Sequence, residues 1–231
     1  LYAIATGSGG LAKSPWPMAG QNLKHTGRVE ENLGKPKKSS NLNDGLVAYY
    51  PFNGSANDES GNGNDGEVKG ATLVEDRFGR PKSAYHFGKE AYIMAVNSPS
   101  LNIRESESLT VSAWVRSLAS GRQFILEKTH RTPIKGRHPT YFMDLPAENG
   151  ILSRFVSQDR KQVQGAASGG TTKVADGKWH HLLGVVDKGN KRLTFYVDGK
   201  LSAFHSVDLG SMENDGDLYI GRRYVPSVLR E

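Results

Sequence analysis

The sequence predicts an all-β protein, an antiparallel two-sheet β-sandwich of the jelly-roll type. Three observations carry this. The stretch SLTVSAWVRS places Leu109, Val111, Ala113 and Val115 on one face and Thr110, Ser112, Trp114 and Arg116 on the other. That is the period of two of a strand with one buried side. About ten such short runs follow one another, separated by turn signals such as DKGN, VDGK and NDGD. No segment of useful length carries a 3.6-residue period, and Gly (27) and Pro (10) are frequent among the 231 residues, as in a turn-rich β protein.

The elements read in order as follows. LYAIAT at the start is one short strand ending in a Gly/Ser turn, and Trp16 and Met18 lie in a proline-flanked loop that is not helical. One strand and one loop do not make a core, so residues 1–29 read as an appendage. Residues 30–43, rich in Lys, Ser and Asn and poor in apolar anchors, read as a linker. The folded domain is placed at 44–231. GLVAYYPF opens it, and NGSANDESGNGNDG (53–66) is a turn-rich connection. AYHFG, YIMAV, SLTVSAWVRS, QFILEK, TYFMDL, ILSRFVSQ, KWHHLLGVVD, RLTFYVDG and DLYIG are the strands that follow.

Composition excludes several chemistries. Cysteine is absent, so no thiol nucleophile, disulfide or Cys-based zinc site exists. No apolar run approaches the roughly 18 residues needed to span a bilayer. The net charge is +6, but residues 1–43 hold six basic and two acidic side chains, so most of the excess lies outside the sandwich. Residues 122–161 hold eight basic and four acidic side chains and form the main basic stretch of the domain. The aromatic-interleaved patterns of RNA-binding modules are missing, which argues against nucleic acid. Neither G-x-S-x-G nor a phosphate-binding glycine loop with GK[ST] occurs.

Three places offer chemistry. The 53–66 loop supplies Asp58, Asn62 and Asn64, oxygen donors of the kind calcium takes, although the same residues also form turns. The segment THRTPIKGRHPTY supplies Arg131, Lys135, Arg137 and Tyr141. Guanidinium forks pair with sulfate or carboxylate, and a tyrosine face stacks on a sugar ring. Glu213, Asp215 and Asp217 sit at i, i+2 and i+4, as an acidic catalytic strand would require, but the NDG turn at 214–216 interrupts the alternation. His180 and His181 are adjacent on a strand and face opposite sides, so they do not share a metal.

DGKWHHLLGVVDKGNKRLTFYVDGKL (176–201), together with GLVAYYPFNG, DESGNGNDG, SLTVSAWVRS and DLYIGR, resembles the laminin-G-like, concanavalin A-like jelly-roll domains over residues 44–223. LYAIATGSG followed by SPWPMAGQNLKHTGR resembles the closing part of a quinoprotein-type β-propeller repeat. The resemblances imply a non-catalytic recognition module of an exported bacterial multidomain protein, secreted or at the cell surface. Its partner would be a glycan, neutral or anionic, or a surface protein, with structural calcium in the 53–66 loop. Two other readings of the same fold are a polysaccharide-degrading enzyme using the acidic strand and a spacer or adhesion domain. Related domains close with a final strand beside the first one. Here IGRRYVPSVLRE stands in its place, which predicts either truncation or a slot filled by Leu1–Thr6 or Tyr224–Leu229.

Overall fold

The computed structural model describes residues 2–7, 44–118, 121–129, 139–145, 154–158, 163–167, 173–206, 208 and 210–222. Its strands in chain order begin with β1 (Tyr2–Gly7), β2 (Leu46–Tyr50), β3 (Gly66–Lys69), β4 (Thr72–Val74) and β5 (Ala84–His86). They continue with β6 (Tyr92–Ala95), β7 (Ser108–Arg116), β8 (Gln123–Thr129), β9 (Pro139–Leu145) and β10 (Arg154–Gln158). The last five are β11 (Val163–Ala167), β12 (Trp179–Asp187), β13 (Arg192–Val197), β14 (Lys200–Ser206) and β15 (Leu218–Ile220). One sheet runs β14-β13-β12-β7-β1-β2, the other β11-β10-β9-β8-β15-β6-β3, and β4-β5 form a separate hairpin. All the paired strands are antiparallel. The all-β sandwich expected from the alternating runs is therefore the fold. No described helix is long and apolar enough to cross a membrane.

The core lies between the two large sheets and follows from the alternation. Leu109, Val111 and Ala113 of β7 meet Leu182 and Val186 of β12 and Leu193 and Phe195 of β13 in one buried cluster. The other sheet contributes Ile93, Leu126, Met143, Leu218 and Ile220 to the same cluster. Each strand thus presents one apolar face inward, and burying that face is the main stabilising term. The strands not read from sequence, β3, β4, β11 and β14, are short or carry few β-branched residues. Their pairing is decided by neighbours rather than by their own pattern.

The slot beside the first strand of the domain is filled by β1. Tyr2 lies opposite Tyr50 of β2 on one side and Ala113 of β7 on the other. This is the Leu1–Thr6 version of the two strand-filling alternatives. A strand so placed satisfies the inner ladder edge of β2, which would otherwise be an open hydrophobic edge. The 30–43 linker lies outside the described residues, as does the Trp16–Met18 loop of the propeller-like segment.

Candidate functional site

The site is built by the register of β7 against β12. Antiparallel pairing sets Trp179 opposite Arg116 and His181 opposite Trp114. Cross-strand neighbours on one face lie close enough to interact, and both pairs do. The Arg116 guanidinium sits 5.2 Å from the Trp179 ring centre, and the Trp114 and His181 rings are 5.1 Å apart. Trp114 and Arg116 are the outward-facing members of the alternating run, so the strand that builds the core also presents this polar–aromatic pair.

The β4–β5 hairpin closes over this face. Within it the Asp76 carboxylate accepts the Phe78 N–H (2.8 Å), the Arg80 N–H (3.0 Å) and the Arg80 Nε–H (2.8 Å). Gly79 turns the chain at a φ of +76°, a conformation that suits glycine. The locked loop lays Arg77 over Trp114 at 4.2 Å and over Phe78 at 3.8 Å. Burial in this position pulls the Arg77 pKa below its usual range, with Asp76 opposing the effect and Arg80 adding to it.

Between the hairpin and the ends of β7, β8 and β12 runs a cleft of about 1040 Å³. Its arginines are Arg77, Arg80, Arg116, Arg122 and Arg222. Its carboxylates are Glu59, Asp76 and Glu90. Arg122 stands 4.5 Å from the Phe124 ring and bonds through Nε to Asp144 (2.6 Å), whose side chain is fully buried. Leu118, 81% exposed, lies on the rim against Gly177.

Next to Trp179 along β12 is a histidine clamp. The two ring nitrogens of His180 lie 2.8 Å from Asp198 Oδ2 and 3.0 Å from Asp176 Oδ1. Burial works against the imidazolium, but the two carboxylates outweigh it and raise the pKa. His181 faces the other way and pairs with Ser112 Oγ at 2.8 Å. Burial pushes its pKa down to about 4. The opposite orientation of the two histidines is the one expected from a strand.

The other sequence-derived sites fall elsewhere. Asp58, Asn62 and Asn64 do come together, as a hydrogen-bonded clamp. Asp58 Oδ1 accepts the Tyr49 and Ser60 N–H groups, and Oδ2 accepts the Asn64 N–H and the Ser60 hydroxyl. Asn62 and Asn64 turn their amide nitrogens onto the carbonyls of Leu46 and Val47. This set does not fit calcium as arranged: the Asp58 lone pairs point at donors, and both amides present N–H groups inward. Tyr141 is corrected from a ligand-facing residue to a core residue. It is 0% exposed and donates its hydroxyl to the Leu101 carbonyl, because β9 aims Tyr141, Met143 and Leu145 into the sandwich. Arg131, Lys135 and Arg137 lie outside the described residues. Glu213 and Asp215 are exposed and precede β15, while Asp217 is buried and accepts the Asn97 N–H. None of the three lines the cleft.

A buried cation sits close to that acidic turn. Lys128 is 0% exposed, and its ammonium donates to Asn97 Oδ1 (2.7 Å), Asn214 Oδ1 (3.0 Å) and the Gly216 carbonyl (2.7 Å). Sequence reasoning assigned no role to Lys128, Arg77 or Trp114. Only the alternation of β7 could have flagged Trp114 and Arg116 as a pair.

Residues 87–228, more than half of the chain, match the profile of a laminin G family described as the concanavalin A-like lectin/glucanases superfamily. The chain belongs to this superfamily. No curated protein matches it by sequence. Among solved structures, this superfamily member is similar to the binding domain of Paraclostridial mosquitocidal protein 1. The two share 18% identity and a TM-score of 0.56, over 71% of this chain and 41% of the other. It is also similar to domain 4 of AbnA, a GH43 extracellular arabinanase from Geobacillus stearothermophilus, in complex with arabinotriose. There the identity is 16% and the TM-score 0.55, over 78% of this chain and 85% of that domain. A third is a structure of botulinum neurotoxin type C, which depends on interaction with two ganglioside molecules to enter cells. Identity is 13% and the TM-score 0.50, over 74% of this chain and 41% of the other. The chain spans about two fifths of the length of the two toxin chains. At these identities the likeness is one of fold.

Proposed function

We propose that this superfamily member is a non-catalytic recognition module that binds a glycan in the cleft between the β4–β5 hairpin and the ends of β7 and β12. One observation carries the reading: a cleft of about 1040 Å³ in which Trp114, Trp179 and Tyr85 stand among arginine donors. Mixed aromatic and polar walls of this kind suit a ligand with both C–H faces and oxygens. Similar folds that hold arabinotriose or depend on gangliosides support it. Two of the three cleft carboxylates support the non-catalytic part, since Asp76 is tied to Arg80 and Glu59 accepts the Asn53 amide. The 213–217 turn supplies no shared strand face for paired carboxylates. The same reading places the module on an exported protein, secreted or held at the cell surface, as the resemblance implies.

Calorimetry of the full chain against a polysaccharide panel tests this, with reducing-end release measured in parallel. Saturable binding without release is expected. Turnover abolished by Glu213→Gln would move the protein to the enzymes, and no binding to any saccharide would leave the spacer reading.

A further inference from the structure

A site for neutral sugars or for nucleic acid bases offers bare aromatic faces, because both C–H faces and bases stack on them. Here the two tryptophans share their faces with cationic or imidazole groups. Trp114 carries Arg77 on one side and lies against His181, and Trp179 carries Arg116. Phe124 in turn carries Arg122. A guanidinium stacked on a ring keeps its N–H groups in its own plane, so they point past the ring edge.

Four of the five cleft arginines divide into two kinds. Arg80 is engaged by Asp76 and Arg122 by Asp144. Arg77 and Arg116 form no ion pair among the described residues, although both line the cleft. Aromatic backing orients these two forks, whose donors meet no carboxylate among the described residues.

We propose that the cleft binds an acidic saccharide, with Arg77 and Arg116 holding its carboxylate or sulfate oxygens. This rests on the glycan-binding reading above and names the ligand class within it. Arg forks match both groups bidentately, and charge-assisted bonds of this kind are the strong ones. The stacked rings then act as the backs of the anion ligands on the sides the guanidinium groups cover. The site recruits residues from the hairpin and from β7 that a count of local charge along the chain does not single out.

The test uses the full chain and matched polymers: polygalacturonate, its methyl ester, a sulfated galactan, a neutral arabinan and a single-stranded oligonucleotide. Tight, salt-sensitive binding to polygalacturonate or the sulfated galactan is expected, with the methyl ester and the arabinan weaker by roughly tenfold or more. The two acidic arms tell carboxylate from sulfate. R77Q and R116Q are each expected to weaken acidic binding by roughly tenfold, and R116K to weaken it too, because lysine keeps the charge but loses the fork. Unchanged urea midpoints show that the variants remain folded; if one fails, R116K alone carries the test. Equal binding of neutral and acidic polymers would overturn the acidic inference and leave the glycan reading standing. Acidic binding indifferent to all three substitutions would overturn this site, as would a preference for the oligonucleotide. No saccharide binding at all would overturn both readings.

Discussion

Two groups of cations in this sandwich are treated in opposite ways. Lys128 is buried at the β8–β15 corner and closed in by Asn97, Asn214 and Gly216, so its charge is consumed inside the fold. Arg77 and Arg116 line an open cleft, backed by aromatic rings and with no carboxylate partner among the described residues. A buried charge has to be hydrogen-bonded by the protein itself, since the alternative is an uncompensated ion in low dielectric. An exposed one keeps its hydration until a ligand replaces it. The contrast teaches that charge count does not tell a closed cation from an open one, whereas the presence of an internal acceptor does.

The largest effect should come from breaking the closed cation. Lys128→Met removes the ammonium donor that Asn97 Oδ1, Asn214 Oδ1 and the Gly216 carbonyl share and should cost about 3–5 kcal/mol, read as a shift in the urea midpoint. A neutral result would mean that the cage is not what holds this corner. Gly216 belongs to the same unit. A Cβ there would lie 1.3 Å from the Thr129 carbonyl oxygen, so no substitution is expected to fold normally.

Next in size is the carboxylate clamp, which is closed in the same sense but anionic. Asp58→Ala strands the Tyr49, Ser60 and Asn64 N–H groups and should destabilise by roughly 2–4 kcal/mol. Because its lone pairs already meet donors, added calcium is expected to leave the melting temperature of the parent chain unmoved. A clear rise with calcium would show that the loop rearranges around the ion.

The two histidines predict a stability maximum bounded on both sides. His181 has a folded pKa of about 4, below its unfolded value of about 6.5. Its unfolded form therefore gains a proton first, and stability falls as pH drops from about 6.5 towards 4, by roughly 2–4 kcal/mol. His180 is raised, so its contribution is present below about 6.5 and is lost as pH climbs through its folded pKa. His181→Gln should flatten the acid limb and His180→Gln the alkaline one. Chemical denaturation across pH reads both, and unaltered limbs would sink the assignment.

The smallest stability effect belongs to the open cations. R77Q and R116Q each remove a stacked, exposed charge and should cost less than about 1 kcal/mol. A loss as large as that of Lys128→Met would show that these arginines hold the fold and would erase the distinction between the two groups.

Much of the architecture was legible because a two-sheet sandwich writes itself into local alternation. The inward set Leu109, Val111, Ala113 and the turn at 214–216 follow from side-chain period and glycine placement alone. The candidate site was less legible. Tyr141 looked like a surface aromatic beside basic residues, but β9 is covered on both sides, so alternation there does not reveal exposure. Asp58, Asn62 and Asn64 looked like metal ligands because turn formers and calcium ligands are the same residue types. Which carbonyl each amide meets depends on the packing of β2 against the loop.

The sequence by itself determined the class of fold, the absence of cysteine chemistry and the pairing of Trp114 with Arg116 on one strand face. Those are properties of neighbouring residues and of composition. Tertiary structure decided the rest. It placed β1 between β2 and β7, consumed the charge of Lys128, and carried Arg77 from a hairpin onto Trp114 of a distant strand. Each of these joins segments far apart in the chain, and long-range register and loop closure leave no periodic mark in the residues that meet.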